Sequence, residues 1–313
     1  MAEPYRYDAI IVILAADLLK VKNLLPLMYE GLQVERLVFV GNEEVGNIVA
    51  EENRIPVSFL NERSILPFED VERILKERLN VDTIPRRITG WYYQQFLKLG
   101  YAQKCENQYY LVWDGDTVPC GKTSMFKEGT AIPYLDIKYE YNEEYFTTMA
   151  KLFPGFHKAI EASFISEHML FDKDIVNEML GKIMMSENLS GDSFYERILR
   201  SIRKEALRTS SFSEYETYGT YVAFEHLGAY ALRNWHSIRW GSTLFEPEKM
   251  THEDFEWIGK DFDAISFEKD EEFLPEYSAL FYNPEYREKL SARQIFEAFQ
   301  DIALKYANVR EKW

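Results

Sequence analysis

Two aspartates that follow a hydrophobic run are the residues of this chain best suited to chemistry. The run Y-Y-L-V-W at 109–113 is typical of a buried strand, and Asp114-Gly115-Asp116 follows it directly. In an open α/β sheet, ligands collect beyond the carboxyl ends of the strands. Two carboxylates there can turn toward one Mg²⁺ or Mn²⁺ ion, which keeps positions open for water and substrate phosphate. The pattern predicts a metal site at Asp114 and Asp116, with Trp113 beside it as a candidate substrate contact. The structural alternative is an ordinary turn, since Asp and Gly are leading turn residues.

The net charge of the chain makes such a cation useful. The sequence has 36 basic and 52 acidic residues, a net charge of −16. This balance argues against non-specific binding of nucleic acid and against a broad basic face for anionic membranes. A phosphate-bearing substrate would need a local cation. A bound divalent ion supplies that charge and acts as a Lewis acid on a departing diphosphate.

A mixed stripe precedes the aspartates on a predicted helix at about 88–104. At 100° per residue, polar and aromatic side chains share one arc beside an apolar arc. Arginine and lysine on that stripe can meet phosphate, and amides can meet hydroxyl groups. A solvated helix face is the alternative. The stripe consists of Arg87, Trp91, Gln94, Gln95 and Lys98.

The elements that must position these residues alternate along the first half of the chain. Strand-like runs at 9–15, 34–40, 55–60 and 109–113 are separated by helix-like runs, which indicates βα units and a mostly parallel sheet. The second half is more helical, with predicted helices that include 175–185, 194–207, 215–232, 253–262 and 292–310, and a candidate strand in 130–140. We expect an α/β core over residues 1–250 and a helical C-terminal extension over 251–313 packed on it.

Composition and cysteine count set the broad class. The 313 residues are 46% hydrophobic and 28% charged, which is typical of a globular protein. Two cysteines, Cys105 and Cys120, provide no disulfide framework and no cysteine-rich zinc site, so a reducing cytoplasm fits best. The apolar stretch at 9–16 is too short to span a bilayer and favours a buried strand over a signal peptide.

Two runs together resemble a known family. Gly90–Leu99 (G-W-Y-Y-Q-Q-F-L-K-L) followed by Tyr109–Thr117 (Y-Y-L-V-W-D-G-D-T) resembles the bacterial polysaccharide-type glycosyltransferases of the GT-A fold. It is most similar to a subgroup found with capsule and cell-envelope sugar genes, and Ser166–Phe171 and Phe212–Gly219 resemble the same subgroup. The resemblance implies a GT-A-like sheet, a nucleoside-diphosphate sugar donor and a glycan or glycolipid acceptor. It also implies Mn²⁺ or Mg²⁺ on the D-x-D motif.

The resemblance also implies roles for single residues. Inverting enzymes of this fold carry a carboxylate base near the acceptor, and Glu216 or Glu214 occupies such a place. Ser213-x-x-Glu216 is also a capping box, which is the structural alternative. Further candidates by resemblance are His236 as a third metal ligand, His168 near the acceptor, Asp17 at the base or ribose, and Arg63 at phosphate.

Two rival functions stay open. Haloacid-dehalogenase-type phosphatases also end a strand in D-x-D, but their threonine comes four residues after the first aspartate, whereas Thr117 is three after Asp114. A non-catalytic GT-A-like carbohydrate-binding module would suit the abundance of tyrosine and tryptophan. The C-terminal cations Lys305, Arg310 and Lys312 allow a weak membrane contact, or complement a helix end. We therefore expect a cytoplasmic enzyme of polysaccharide biosynthesis, with or without contact to the inner membrane face.

Overall fold

A computed structural model describes residues 5–268 and 272–298. Within these residues the strands are β1 Ala9–Val12, β2 Leu37–Gly41, β3 Val57–Asn61, β4 Tyr109–Trp113, β5 Thr117–Pro119, β6 Tyr134–Ile137, β7 His168–Asp172, β8 Ala231–Asn234, β9 Ser237–Ile238 and β10 Ala264–Ser266. The α-helices are α1 Ala15–Val21, α2 Leu25–Leu32, α3 Glu43–Ala50, α4 Phe68–Leu79, α5 Arg86–Gly100, α6 Glu143–Leu152, α7 Lys173–Met185, α8 Phe194–Ser201, α9 Glu214–Glu225, α10 Gly241–Leu244, α11 His252–Ile258, α12 Pro275–Phe281, α13 Pro284–Lys289 and α14 Ala292–Glu297.

The central sheet has the strand order β3-β2-β1-β4-β7. The first four strands are parallel, and β7 pairs antiparallel with β4, with Trp113 opposite His168. Two smaller sheets accompany it, in the orders β5-β10-β9 and β6-β8. The predicted α/β class with a mostly parallel sheet flanked by helices is confirmed.

Helices cover both faces of the central sheet, so β1, β2 and β4 are buried on both sides, while the edge strand β3 is half-buried. Successive residues of a strand point to opposite faces. In β4, Leu111 and Trp113 join one buried apolar cluster, while Tyr110 and Val112 join the other. Strands buried on both faces read as continuous apolar runs, which is the pattern seen at 109–113.

Several segments differ from the sequence prediction. The helix expected over 215–232 ends at Glu225, and residues 231–234 form β8, which pairs with β6. The helix expected over 194–207 ends at Ser201. Strands β7, β9 and β10 were not predicted, and β10 brings residues 264–266 of the expected extension into a sheet with β5.

The predicted helix over 292–310 is described only as far as Glu297 within α14, and its remainder lies largely outside the described residues, as do Lys305, Arg310 and Lys312. Among the residues that the structure describes, no helix has both the length and the apolar character needed to cross a membrane.

Candidate functional site

A cleft of about 700 Å³ opens at the carboxyl ends of β1 and β4, and the D-G-D motif lies in its wall. This volume is within the range of small-molecule sites. A residue larger than Gly115 between the two aspartates would require the isoleucine side chains beneath it to shift. A Cβ atom on Gly115 would lie 2.6 Å from Cδ1 of Ile13 and 2.9 Å from Cγ2 of Ile11. The motif is therefore packed tightly against β1, and both aspartates line the cleft.

Asp114 is held by a buried network from α5 and α9. Its Oδ1 accepts hydrogen bonds from Nζ of Lys98 at 2.7 Å and from the hydroxyl of Tyr215 at 3.0 Å. Nζ of Lys98 also lies 2.7 Å from Oε1 of Glu214. Burial alone would lower the pKa of Lys98, but Asp114 and Glu214 outweigh it and raise the pKa. Lys98 therefore provides Asp114 with a buried positive counter-charge.

Asp116 has the opposite environment. Burial, and then the neighbouring charges of Asp114, Glu268 and Asp17, raise the pKa of Asp116 to about 7. Its hydrogen bond from the Thr117 hydroxyl is long, at 3.4 Å. Because its neighbours are also carboxylates, the ionised form of Asp116 would be stabilised by an added positive charge.

An arginine and two glutamates line the cleft next to the D-G-D motif. Arg239 lies 3.1 Å from Glu268 and 3.6 Å from Glu167. Glu167 has a left-handed backbone, with φ of 61°, and its carbonyl oxygen accepts the backbone N–H of Asp114. Burial would raise the pKa of Glu167, but Lys138 and Arg239 lower it overall. A strained non-glycine residue of this kind is common at functional sites.

The predicted stripe on α5 divides between two roles. Arg87, Trp91 and Gln94 line the cleft, whereas Gln95 and Lys98 are buried behind it. Gln95 accepts the backbone N–H of residue 214 at the start of α9, at 3.1 Å. Helix α5 therefore forms part of the cleft surface, and through Gln95 and Lys98 it also holds the start of α9 next to the end of β4.

Of the residues assigned by resemblance near the first strands, one lies in the cleft. Asp17 lines it, and its Oδ1 is buried without a hydrogen bond. Arg63 lies outside the cleft lining, where it pairs with Glu69 at 2.8 Å. Trp113 is fully buried, and its indole Nε1 donates to the Thr117 carbonyl at 2.7 Å. Trp113 therefore supports the motif from beneath and has no surface for a substrate.

The two glutamates of α9 do not line the cleft. Glu214 is buried against Lys98, and Glu216 is 2% exposed. Oε2 of Glu216 accepts from the Ser163 hydroxyl at 2.7 Å and from the backbone N–H of Phe164 at 3.1 Å. Ser213 caps α9 through the backbone N–H of residue 216, while the Glu216 side chain turns away from the cap. Burial raises the pKa of Glu216. The structure does not bring either glutamate to the surface where an acceptor hydroxyl would have to lie for direct proton transfer.

The two candidate histidines also lie away from the cleft lining. His168 is 1% exposed, and its ring nitrogens lie 2.8 Å from Oδ2 of Asp136 and 2.8 Å from the carbonyl of Ser166. His236 is exposed, and its backbone N–H donates to Asp263. Within the described residues no group of three or more histidine, cysteine, aspartate or glutamate side chains is arranged to hold a metal. The structure does not bring His236 to Asp114 and Asp116.

The two aspartates alone fit a magnesium-type site. Mg²⁺ is commonly bound by one or two carboxylates together with water and substrate phosphate. Asp116 offers an insufficiently neutralised carboxylate, whereas one oxygen of Asp114 already accepts two hydrogen bonds. Asp116 would hold such an ion, and the second oxygen of Asp114 would assist it.

Sequence reasoning assigned no role to five charged residues of the cleft lining: Glu62, Arg86, Glu167, Arg239 and Glu268. Arg86 adjoins the predicted stripe, so its position at the start of α5 was a usable signal. Arg239 and Glu268 follow the short strands β9 and β10, which have no readable period. The only local signal was a charged side chain shortly after each short strand.

Comparison with solved structures finds similar glycosyltransferases. Mouse xyloside xylosyltransferase 1, in its apo form, shares 13% identity over 86% of this chain and 100% of that chain, with a TM-score of 0.46. The galactosyltransferase LgtC, in complex with donor and acceptor sugar analogues, shares 9% identity over 90% of this chain and 100% of that chain, with a TM-score of 0.40. The bifunctional glycosyltransferase WbbM, in its apo form, shares 12% identity over 95% of this chain and 52% of that chain, with a TM-score of 0.39. These similarities are too distant to assign a substrate or an activity to this chain.

The sequence itself gives one family match. No curated protein matches the chain. A family model described as a family of unknown function, DUF6492, matches residues 30–305, which is most of the chain. The chain therefore belongs to the DUF6492 family.

Proposed function

We propose that this protein is a glycosyltransferase that moves a sugar from a nucleoside-diphosphate donor to a glycan or glycolipid acceptor, with Mn²⁺ or Mg²⁺ at Asp114 and Asp116. The observation that carries the proposal is Asp116, a carboxylate with a pKa raised to about 7 in the wall of a cleft of about 700 Å³. A divalent cation held by Asp116 would relieve that repulsion and would supply positive charge for the leaving diphosphate. The family resemblance of the two central motifs supports the same class.

The residues of the cleft suit the parts of such a donor. Arg86 and Arg87 are exposed at the start of α5, where their charge can meet a diphosphate. Trp91 offers part of an aromatic face, and its ring stacks on Tyr145 with centroids 6.5 Å apart. Oδ1 of Asp17 has an ion pair with Lys20 at 4.0 Å but no hydrogen bond, so it can accept a hydroxyl or amine hydrogen of the donor.

The proposed reaction breaks the bond between the anomeric carbon and the diphosphate oxygen and forms a bond from that carbon to an acceptor oxygen. The nucleoside diphosphate leaves, and its departing oxygen takes up the proton that the acceptor hydroxyl loses, directly or through water. When bound, the metal stabilises the negative charge of the leaving diphosphate. Asp116 would hold the metal, and Lys98 and Tyr215 fix Asp114 beside it. The proposal assigns the proton to neither Glu214 nor Glu216.

The same family resemblance supports a proposal for the pathway and the cellular compartment. We propose that the acceptor belongs to polysaccharide biosynthesis for the cell envelope, that the donor is met in the cytoplasm, and that residues 1–250 form the catalytic core. Glu268, which comes from beyond that core, lines the cleft beside Arg239.

The direct test is a panel of sugar nucleotides incubated with the protein and Mn²⁺, with release of the nucleoside diphosphate as the readout. We expect one or a few donors to be turned over, and a chelator to stop the release. Asp116→Asn should reduce turnover about 10³-fold, because the main ligand for the cation is lost.

Asp263→Asn is the matched control, because Asp263 is also half-buried with a raised pKa but lies outside the cleft lining. It should keep the wild-type rate. Full activity of the Asp116→Asn variant, or metal-dependent hydrolysis of phosphomonoesters with no use of any sugar nucleotide, would contradict the proposal.

A further inference from the structure

Lys98 is the most buried cation at the site, and it is shared by two elements. It is 4% exposed, and its Nζ lies 2.7 Å from Oδ1 of Asp114, 2.7 Å from Oε1 of Glu214 and 3.2 Å from the hydroxyl of Tyr215. Its Nζ also lies 4.5 Å from the centroid of the Tyr215 ring. A lysine is rarely buried unless it is paired, and this one is paired on two sides.

This arrangement makes the two aspartates of the motif unequal. Oδ1 of Asp114 accepts from Lys98 and Tyr215, so its lone pairs face the protein interior. Within the described residues no lysine or tyrosine donates to Asp116, which has the 3.4 Å contact from the Thr117 hydroxyl and a hydrogen bond from its own backbone N–H. A fixed positive charge next to one ligand also lowers the attraction of the pair for a second cation.

We infer that Lys98 is a positioning residue that acts as a permanent counter-cation for Asp114, so that the D-G-D site holds a divalent ion weakly on its own and firmly only together with a diphosphate. This inference rests on the proposed function. Asp116 would then be the main protein ligand. Oxygens of the diphosphate would take the place of Oδ1 of Asp114, which is occupied by its hydrogen bonds. Ion and donor binding are therefore coupled, and each raises the affinity of the other.

The sign of the effect can be tested on Mn²⁺ binding without any nucleotide. Lys98→Met removes a positive charge and one of the two hydrogen bonds to Oδ1 of Asp114, so we expect Mn²⁺ to bind about tenfold more tightly than in the wild type. Glu214→Gln keeps Lys98 and leaves Asp114 as its only acidic partner among the described residues, so Mn²⁺ should bind about threefold more weakly. The free Mn²⁺ signal in electron paramagnetic resonance, followed through a titration, measures both constants.

The single lysine variant leaves Glu214 buried without a cation, which can unfold the protein. The double variant Lys98→Met with Glu214→Gln removes both charges and protects the fold. We expect it to bind Mn²⁺ at least about threefold more tightly than the wild type, because Oδ1 of Asp114 loses the hydrogen bond from Lys98 while the net charge is unchanged. A purely structural role for Lys98 predicts weaker binding in every variant, so the opposite signs of the two single changes distinguish the two roles.

A second titration in the presence of a nucleoside diphosphate tests the coupling. The diphosphate should tighten Mn²⁺ binding more in the wild type than in the double variant. Equal or weaker Mn²⁺ binding in the folded double variant would overturn the inference while leaving the proposed function standing. If the wild type binds no Mn²⁺ even with every common nucleoside diphosphate, the metal site of the proposed function fails, and the inference fails with it.

Discussion

The cleft and the interior each contain a cluster of opposite charges, and the two clusters are completed to different degrees. In the interior, Asp136 accepts from Nε and Nη2 of Arg233, both at 2.6 Å, and lies 2.8 Å from His168. In the cleft, Asp116 faces Asp114 and Glu268. Burial would raise the pKa of Asp136, but Arg233 and His168 lower it, whereas the pKa of Asp116 is raised to about 7.

The contrast separates a structural cluster from one that is suited to a ligand. Both oxygens of Asp136 have charged donors, so a further cation would gain little there. Asp116 is an acid whose ionisation the folded protein opposes, and an external cation would remove that cost. The same residue type therefore serves packing in one place and binding in the other, and the difference comes from the partners that the fold brings to it.

Breaking the interior cluster should give the largest loss of stability. Arg233→Met leaves the buried Asp136 without its arginine and with only the His168 ring beside it among the partners named above, and we expect the free energy of unfolding to fall by about 2–4 kcal/mol. Chemical denaturation measures it. In the double variant with Asp136→Asn the loss should be smaller, because no unpaired charge remains. A loss below about 1 kcal/mol in the single variant would show that this cluster is not the more strongly paired of the two.

The cleft cluster should show the opposite response, and it should depend on pH. The folded pKa of Asp116 is raised to about 7 from 3.8, so between about pH 4 and pH 7 the folded protein holds more protons than the unfolded chain. Rising pH through this window therefore costs stability. We expect Asp116→Asn to be about 1–3 kcal/mol more stable than the wild type at pH 8, with little difference at pH 4.

Unfolding curves of both proteins at the two pH values test this response. The informative quantity is the difference between the variant and the wild type, since other groups titrate in both. An equal difference at both pH values would mean that Asp116 is not strained by its neighbours. The contrast between the cleft cluster and the interior cluster would then no longer hold.

Local sequence patterns predicted the part of the site that is contiguous in the chain. The apolar run of β4 and the turn residues after it placed Asp114 and Asp116 at the end of a strand, and the structure puts both in the cleft wall. The helical period of α5 placed Arg87, Trp91 and Gln94 on one arc, and they do line one cleft. These predictions succeeded because strand and helix periods fix which side chains share a face.

Residues that reach the site from distant parts of the chain were not predictable in the same way. The stripe on α5 gave no sign that Lys98 would be buried, because its partner Glu214 is 116 residues away. Strand β8 overrode a helical pattern at 231–234 because it pairs with β6, and this pairing carries the chain toward Arg239. The short strand β10 delivers Glu268. Such placements depend on tertiary pairing, which a single sequence does not display.

The smallest expected effect distinguishes the two arginines that were both assigned to phosphate. Arg87 is exposed in the cleft lining, while Arg63 lies outside it and pairs with Glu69. Arg87→Ala should raise the KM for a sugar-nucleotide donor by about tenfold, because one charge-assisted contact to the diphosphate is worth about 1.5 kcal/mol. Arg63→Ala should leave KM within about twofold, since an exposed ion pair contributes little. Steady-state kinetics with an identified donor measures both. A larger effect at Arg63 would move the diphosphate away from α5 and toward the end of β3, and the cleft cluster would then need a different ligand to balance Asp116.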